Sequence, residues 1–145
     1  GGWIATYSEV CFAMAEAYER GWTTVGDTQT WLRLGVKASC ERWGVSSAAA
    51  TAYANSVTLG SNAMETIAME KWVDMFLQGF DSWTEWRRLD YPVLSPPAAA
   101  ITGTGVPVRN GYGGLVPTQN KVSYDAAVAA QGADTQDTKL WWDTK

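Results

Sequence analysis

Proline lacks an N–H and its ring clashes with the preceding turn, so helix interiors reject it. In this chain of 145 residues all five prolines, Pro92, Pro96, Pro97, Pro107 and Pro117, lie after Tyr91. That distribution divides one structural domain into a helical part over 1–90 and an irregular part over 91–145. With 46% hydrophobic and 18% charged residues the chain is too apolar for general disorder, and it is long enough to bury a core.

Within the helical part the start signals are explicit. Thr6-Tyr7-Ser8-Glu9 is a capping-box pattern, followed by an apolar face of Val10, Ala13, Met14 and Ala17 and a stop at Arg20-Gly21. Asp27 is the expected N-cap of a second helix, with a stripe of Trp31, Leu34, Gly35 and Ala38 and an end at Gly44. Small residues on both stripes allow close approach, which suggests a tetratricopeptide-like hairpin. Ser46 or Ser47 caps a third helix over 48–57, and Asn62-x-x-Glu65 opens a fourth. The fourth carries two stripes, one of Met69, Trp72, Val73, Phe76, Leu77 and Phe80 and one of Met64, Ala68 and Met75. A helix apolar nearly all round packs inside something larger. Gly79 is expected to interrupt it, with a short continuation over 80–89 ending before Tyr91-Pro92.

The fold class expected is therefore all-α: tetratricopeptide-like hairpins followed by a long, irregular, loop-rich C-terminal segment. Residues 92–120 carry one charge, Arg109, and five glycines. The chain closes on Leu140-Trp141-Trp142, which predicts a docked end and an ordered excursion with short strands.

The bulk numbers exclude several classes of function. A net charge of −4 and a pI near 4.7 argue against nucleic acid as a partner. With no histidine, Ser-His-Asp and Cys-His systems are excluded, as are the common zinc ligand sets, and no cofactor or metal is expected. No apolar run approaches a membrane-spanning length. The chain opens at Gly1-Gly2 with no signal segment, so it reads as a fragment of a longer protein. Nine tryptophans stand out. Indoles suit both cores and sugar faces, and the helical spacing of most of them predicts core.

Four constellations bear on chemistry. Asp81 and Glu85, four apart beside Trp83 and Trp86, have the ingredients of a glycosidase carboxylate pair, but a solvated helix face is the stronger reading, and no catalytic residue is assigned. Arg87-Arg88 suits a helix C-terminus, with Glu70 and Asp74 as candidate partners. Cys11 and Cys40 could meet across the hairpin, although free buried thiols are the commoner outcome. Asp134 and Asp137 are too few to make a calcium site.

Several pieces, read in order, resemble one family. Glu70-Lys71-Trp72, Phe76, Gly79, Trp83-x-x-Trp86-Arg87-Arg88 and Tyr91-Pro92 are similar to the "(E/Q)KW…F…G…W…WRR…YP" region of SusD/RagB-like nutrient-binding lipoproteins, in the branch described as starch-binding associating with the outer membrane. Ala15-Glu16-Ala17 with Arg20-Gly21-Trp22 resembles "AEA…RGW", and Gly35 to Ser39 with Trp43-Gly44-Val45 resembles "GI.AS…WGV". Val106-Pro107-Val108-Arg109 resembles "IP.R", and Asp137 to Asp143 resembles "D…T.LWWD". The family pattern breaks after Arg109, where Asn110 to Pro117 replaces "LPYP…E".

The resemblance implies the C-terminal portion of a cell-surface lipoprotein of the Bacteroidetes outer membrane, anchored by lipid through an N-terminal segment. Such a protein captures an oligosaccharide, or in some relatives a peptide, and passes it to a SusC-like TonB-dependent transporter without being an enzyme. The alternative is a helical-hairpin protein- or peptide-interaction module without sugar binding. Tyr112, in a glycine-rich loop with no helical stripe to fill, is the one candidate ligand contact.

Overall fold

A computed structural model describes residues 4–96, 98–100 and 105–143. Among them the chain is all-helical, with seven helices and no strand. It separates into two compact units, Gly1–Pro92 and Val93–Lys145.

The first unit holds α1 (Tyr7–Glu19), α2 (Thr28–Arg42), α3 (Ser47–Ser56), α4 (Ala63–Asp74) and α5 (Gly79–Leu89). The starts follow the caps read from the sequence. The Thr6 hydroxyl accepts the Glu9 N–H while the Glu9 carboxylate accepts the Thr6 N–H, closing the capping box. Asp27, Ser46 and Asn62 cap α2, α3 and α4 through their side-chain oxygens. Gly21 and Gly44, at φ +71° and +84°, turn the chain out of α1 and α2.

Helices α1 and α2 form an antiparallel hairpin. Glu19 accepts a hydrogen bond from Thr28 at its closed end, and Phe12 meets Gly35 midway. Helix α3 runs back along α2, and Gln29 ties the segment after it through Val57 and Leu59. The core is Phe12, Ala15, Leu32, Val36, Ala54 and Ile67, with Trp31, Cys40, Val57, Leu59 and Met64 around it. Burying each of the larger side chains contributes about 1.5–3 kcal/mol.

The buried faces differ from those expected. Helix α1 buries Ser8, Cys11, Phe12, Ala15 and Glu16, a stripe rotated from Val10, Ala13, Met14 and Ala17. Helix α2 buries Thr28, Leu32, Gly35 and Val36, while Leu34 is exposed. A search for apolar spacing passes over a stripe that contains Ser8 and Glu16; both are buried because residues of other helices and of the flanking turns supply their polar partners. Tryptophan was expected in the core and is absent from it: no described tryptophan is fully buried. Trp31 and Trp86 lie at the margin, their N–H groups donating to Val25 and Pro92 carbonyls at 2.8 and 2.9 Å.

The break in the fourth helix comes before Gly79. Helix α4 ends at Asp74, and Leu77 takes up a left-handed conformation at φ 70°, so Gly79 opens α5 instead of ending α4.

In the second unit, the segment expected to be irregular contains α6 (Val116–Gln119) and α7 (Lys121–Gln131). Pro117 sits in the first turn of α6, where its missing N–H costs nothing. The expected short strands are not seen among the described residues. Trp141 is exposed.

Candidate functional site

In the first unit the motif residues converge on an ion-pair network. Glu16 of α1, 4% exposed, accepts from Arg20 Nε at 2.8 Å and from both terminal nitrogens of Arg88 on α5, NH2 to Oε2 at 2.5 Å. Arg88 also reaches Glu85 at 2.6 Å, and Lys71 of α4, itself buried, donates to the same carboxylate at 2.7 Å. Two carboxylates and three cations thus join α1, α4 and α5. Burial alone would push Glu16 up, but hydrogen bonds from Arg88 and Arg20 outweigh it and hold the carboxyl at about 2. Glu85 is lowered by the same balance, burial opposing and Arg88 and Lys71 prevailing; the two carboxylates in turn raise Arg88.

A second buried chain lies beside it. Thr6 and Ser8 hydroxyls meet at 2.9 Å, and Ser8 donates to Asp74 Oδ2 at 2.9 Å. Arg42 holds Asp74 Oδ1 at 2.8 Å and also donates to the Asp74 carbonyl. Asp74 is fully buried, so each partner is needed; removing one from such a pair costs about 3–5 kcal/mol.

These contacts settle several motif assignments. Arg88 pairs with Glu16 and Glu85, not with Glu70 or Asp74: Asp74 belongs to Arg42, and Glu70 accepts from the Tyr53 hydroxyl at 3.2 Å. Arg87 stacks over Trp83 at 3.8 Å. Asp81 is exposed, whereas Glu85 is held by Lys71 and Arg88, so the pair does not act as a unit. Cys11 and Cys40 are free thiols, Cys11 buried and Cys40 half-buried. Burial raises both, partly offset at Cys11 by its hydrogen bond with Tyr7.

In the second unit Arg109 is the anchor. It is 5% exposed, donates to Asp134 at 3.1 Å and to the Asn110 carbonyl at 3.1 Å, and lies 5.3 Å from the Tyr112 ring. The Tyr112 N–H donates to the same Asp134 carboxylate at 3.1 Å. The Tyr112 ring meets Tyr124 of α7 edge-on, with centroids 5.7 Å apart and planes at 78°. Tyr112 is 40% exposed. It is thus fixed by an ion-paired loop, with part of its ring open to solvent. Asp134 is committed to this anchor, and no cluster of acidic, histidine or cysteine side chains fit for a metal occurs among the described residues. No described helix is long and apolar enough to cross a membrane.

Sequence reasoning found Arg109, Arg88 and Glu85 as motif members but missed Glu16 as the hub. The signal was present: a carboxylate inside a small apolar run, four residues before Arg20.

Comparison with known proteins places this geometry. The family model described as starch-binding associating with the outer membrane matches residues 2–113. Among solved structures, the chain is 30% identical to a SusD-like protein of the Bacteroidetes, with a TM-score of 0.81, covering 96% of this chain and 30% of that one. It is 29% identical to a SusD homologue from Bacteroides thetaiotaomicron, at a TM-score of 0.79, covering 95% and 37%. It is 25% identical to a chitin-binding SusD homologue from Flavobacterium johnsoniae, at a TM-score of 0.75, covering 95% and 36%. The chain spans about a third of the length of these relatives. No curated protein matches it. The ordered motifs, the fold they build and the match over most of its residues show that the chain belongs to the SusD-like family of starch-binding proteins associated with the outer membrane.

Proposed function

We propose that this chain is the helical frame of a surface protein that captures an oligosaccharide and passes it to a SusC-like TonB-dependent transporter. Family membership carries this reading: the matching model describes starch binding at the outer membrane, and a relative at 25% identity is a chitin-binding homologue. The protein is held at the outer membrane by a lipid anchor outside this stretch. It is not an enzyme. The state of Glu85 supports this, because a glycosidase acid must hold a proton near neutral pH, and Lys71 and Arg88 keep Glu85 ionised.

Within the frame, Tyr112 offers a sugar a partly open aromatic ring on a fixed loop, with Arg109 and Asp134 setting its position. Glycan-array profiling of the full-length protein tests the capture role: saturable binding of a glucan or chitin-type oligosaccharide is expected, and binding of peptides alone would overturn it. Tyr112→Ala should weaken glycan affinity about tenfold, a loss of about 1.4 kcal/mol; unchanged affinity would remove Tyr112 from the site.

A further inference from the structure

Four cations of the first unit, Arg20, Arg42, Lys71 and Arg88, are held by carboxylates at 2.8, 2.8, 2.7 and 2.6 Å. Arg33 and Lys37, one turn apart on α2, are not. The Lys37 ammonium stands 3.9 Å from the Glu41 carboxylate, beyond hydrogen-bond reach, and both side chains are half-exposed. Arg33 makes no ion pair among the described residues. A terminal nitrogen reaches the Asn55 carbonyl at a long 3.4 Å, and its Nε is shut off from solvent with no acceptor. Asp27, the acid nearest along the helix, already accepts the Thr30 N–H and hydroxyl at 2.8 and 2.6 Å.

The two cations line a cleft of about 200 Å³ between α2 and α3, and no described carboxylate lines it. The Thr51 hydroxyl and the Asn55 amide add donors, and Leu34 and Ala54 make an apolar wall. The cleft is smaller than the roughly 300–1,000 Å³ of a drug-sized site, so it takes a compact group and not a chain. Like charges one turn apart repel, and a buried donor without an acceptor is costly. A single anion with several acceptor oxygens relieves both.

We propose that this cleft binds a compact oxyanion, a carboxylate, sulfate or phosphate group, with Lys37 supplying a point charge and Arg33 a hydrogen-bonding fork. The site is independent of Tyr112 and of the capture role.

Calorimetric titration of the full-length protein at low ionic strength tests this, with sodium sulfate, sodium glucuronate and, as a neutral control, glucose. Saturable binding of at least one anion is expected, weakened by added sodium chloride. Tighter binding of glucuronate than of sulfate would identify an acidic sugar as the source of the oxyanion, and the reverse a free ion; either order upholds the site. Arg33→Gln and Lys37→Gln should each lower the affinity about tenfold, and Arg33→Lys, which keeps the charge and loses the fork, should lower it less. Circular dichroism checks the fold of each variant, and if Arg33→Gln loses helicity, the half-exposed Lys37 decides the matter alone. Three results would overturn the proposal: no saturable binding of either anion, binding of glucose as tight as that of glucuronate, or anion binding unchanged in Lys37→Gln.

Discussion

Glu16 shows at single-residue scale how this family motif works. A buried carboxylate is costly unless paired, and Arg20 and Arg88 supply the pairing. Its folded value near 2 lies below its ordinary 4.5, so its contribution to stability is fully present above pH about 5 and is lost as pH falls toward 2. That contribution amounts to about 3 kcal/mol by the linkage relation. Chemical denaturation between pH 6 and pH 3 should show stability falling with acid, and Glu16→Gln should lower stability at pH 6 and flatten that slope. A second residue-scale test concerns Gly35. A Cβ there would stand 2.9 Å from Phe12 Cε1, with both helices fixed by their caps. Gly35→Ala should therefore destabilise by about 1–3 kcal/mol in urea titration, despite the better helix propensity of alanine.

At the scale of elements, helix starts were legible in the sequence and helix faces were not. Thr6, Asp27 and Asn62 cap as read, and of the two serines left open Ser46 is the cap, because a capping side chain acts on backbone three residues away and needs no tertiary context. The faces of α1 and α2 depend on which polar residues find partners on other helices, and local spacing does not contain that. Helix α7 was missed because its alanine-rich run follows a proline- and glycine-rich stretch that reads as loop. The α4–α5 junction was placed at Gly79, although the chain turns two residues earlier on Leu77. A leucine in the left-handed region costs about 1–2 kcal/mol relative to an unstrained residue. Leu77→Gly should recover about 0.5–1 kcal/mol in the thermal or chemical unfolding of this chain; a loss of stability would mean that the leucine side chain packs within it.

For the whole molecule, the candidate site was only partly readable. Tyr112 was singled out by elimination; the structure adds that its loop is pinned through Arg109 and Asp134 and that its ring meets Tyr124. Asp134 serves as the counter-ion of the "IP.R" arginine. The described tryptophans, read as core, are half-buried or exposed, and two of them, Trp43 and Trp72, border the α4–α5 corner. Capture of a sugar without its cleavage has a direct signature in solution. Calorimetric titration of the full-length protein with a maltooligosaccharide or chitooligosaccharide, with chromatography of the same sample after prolonged incubation, should show a saturable binding heat and an intact sugar. Shortened products formed by the wild type and absent with Asp81→Asn would contradict it.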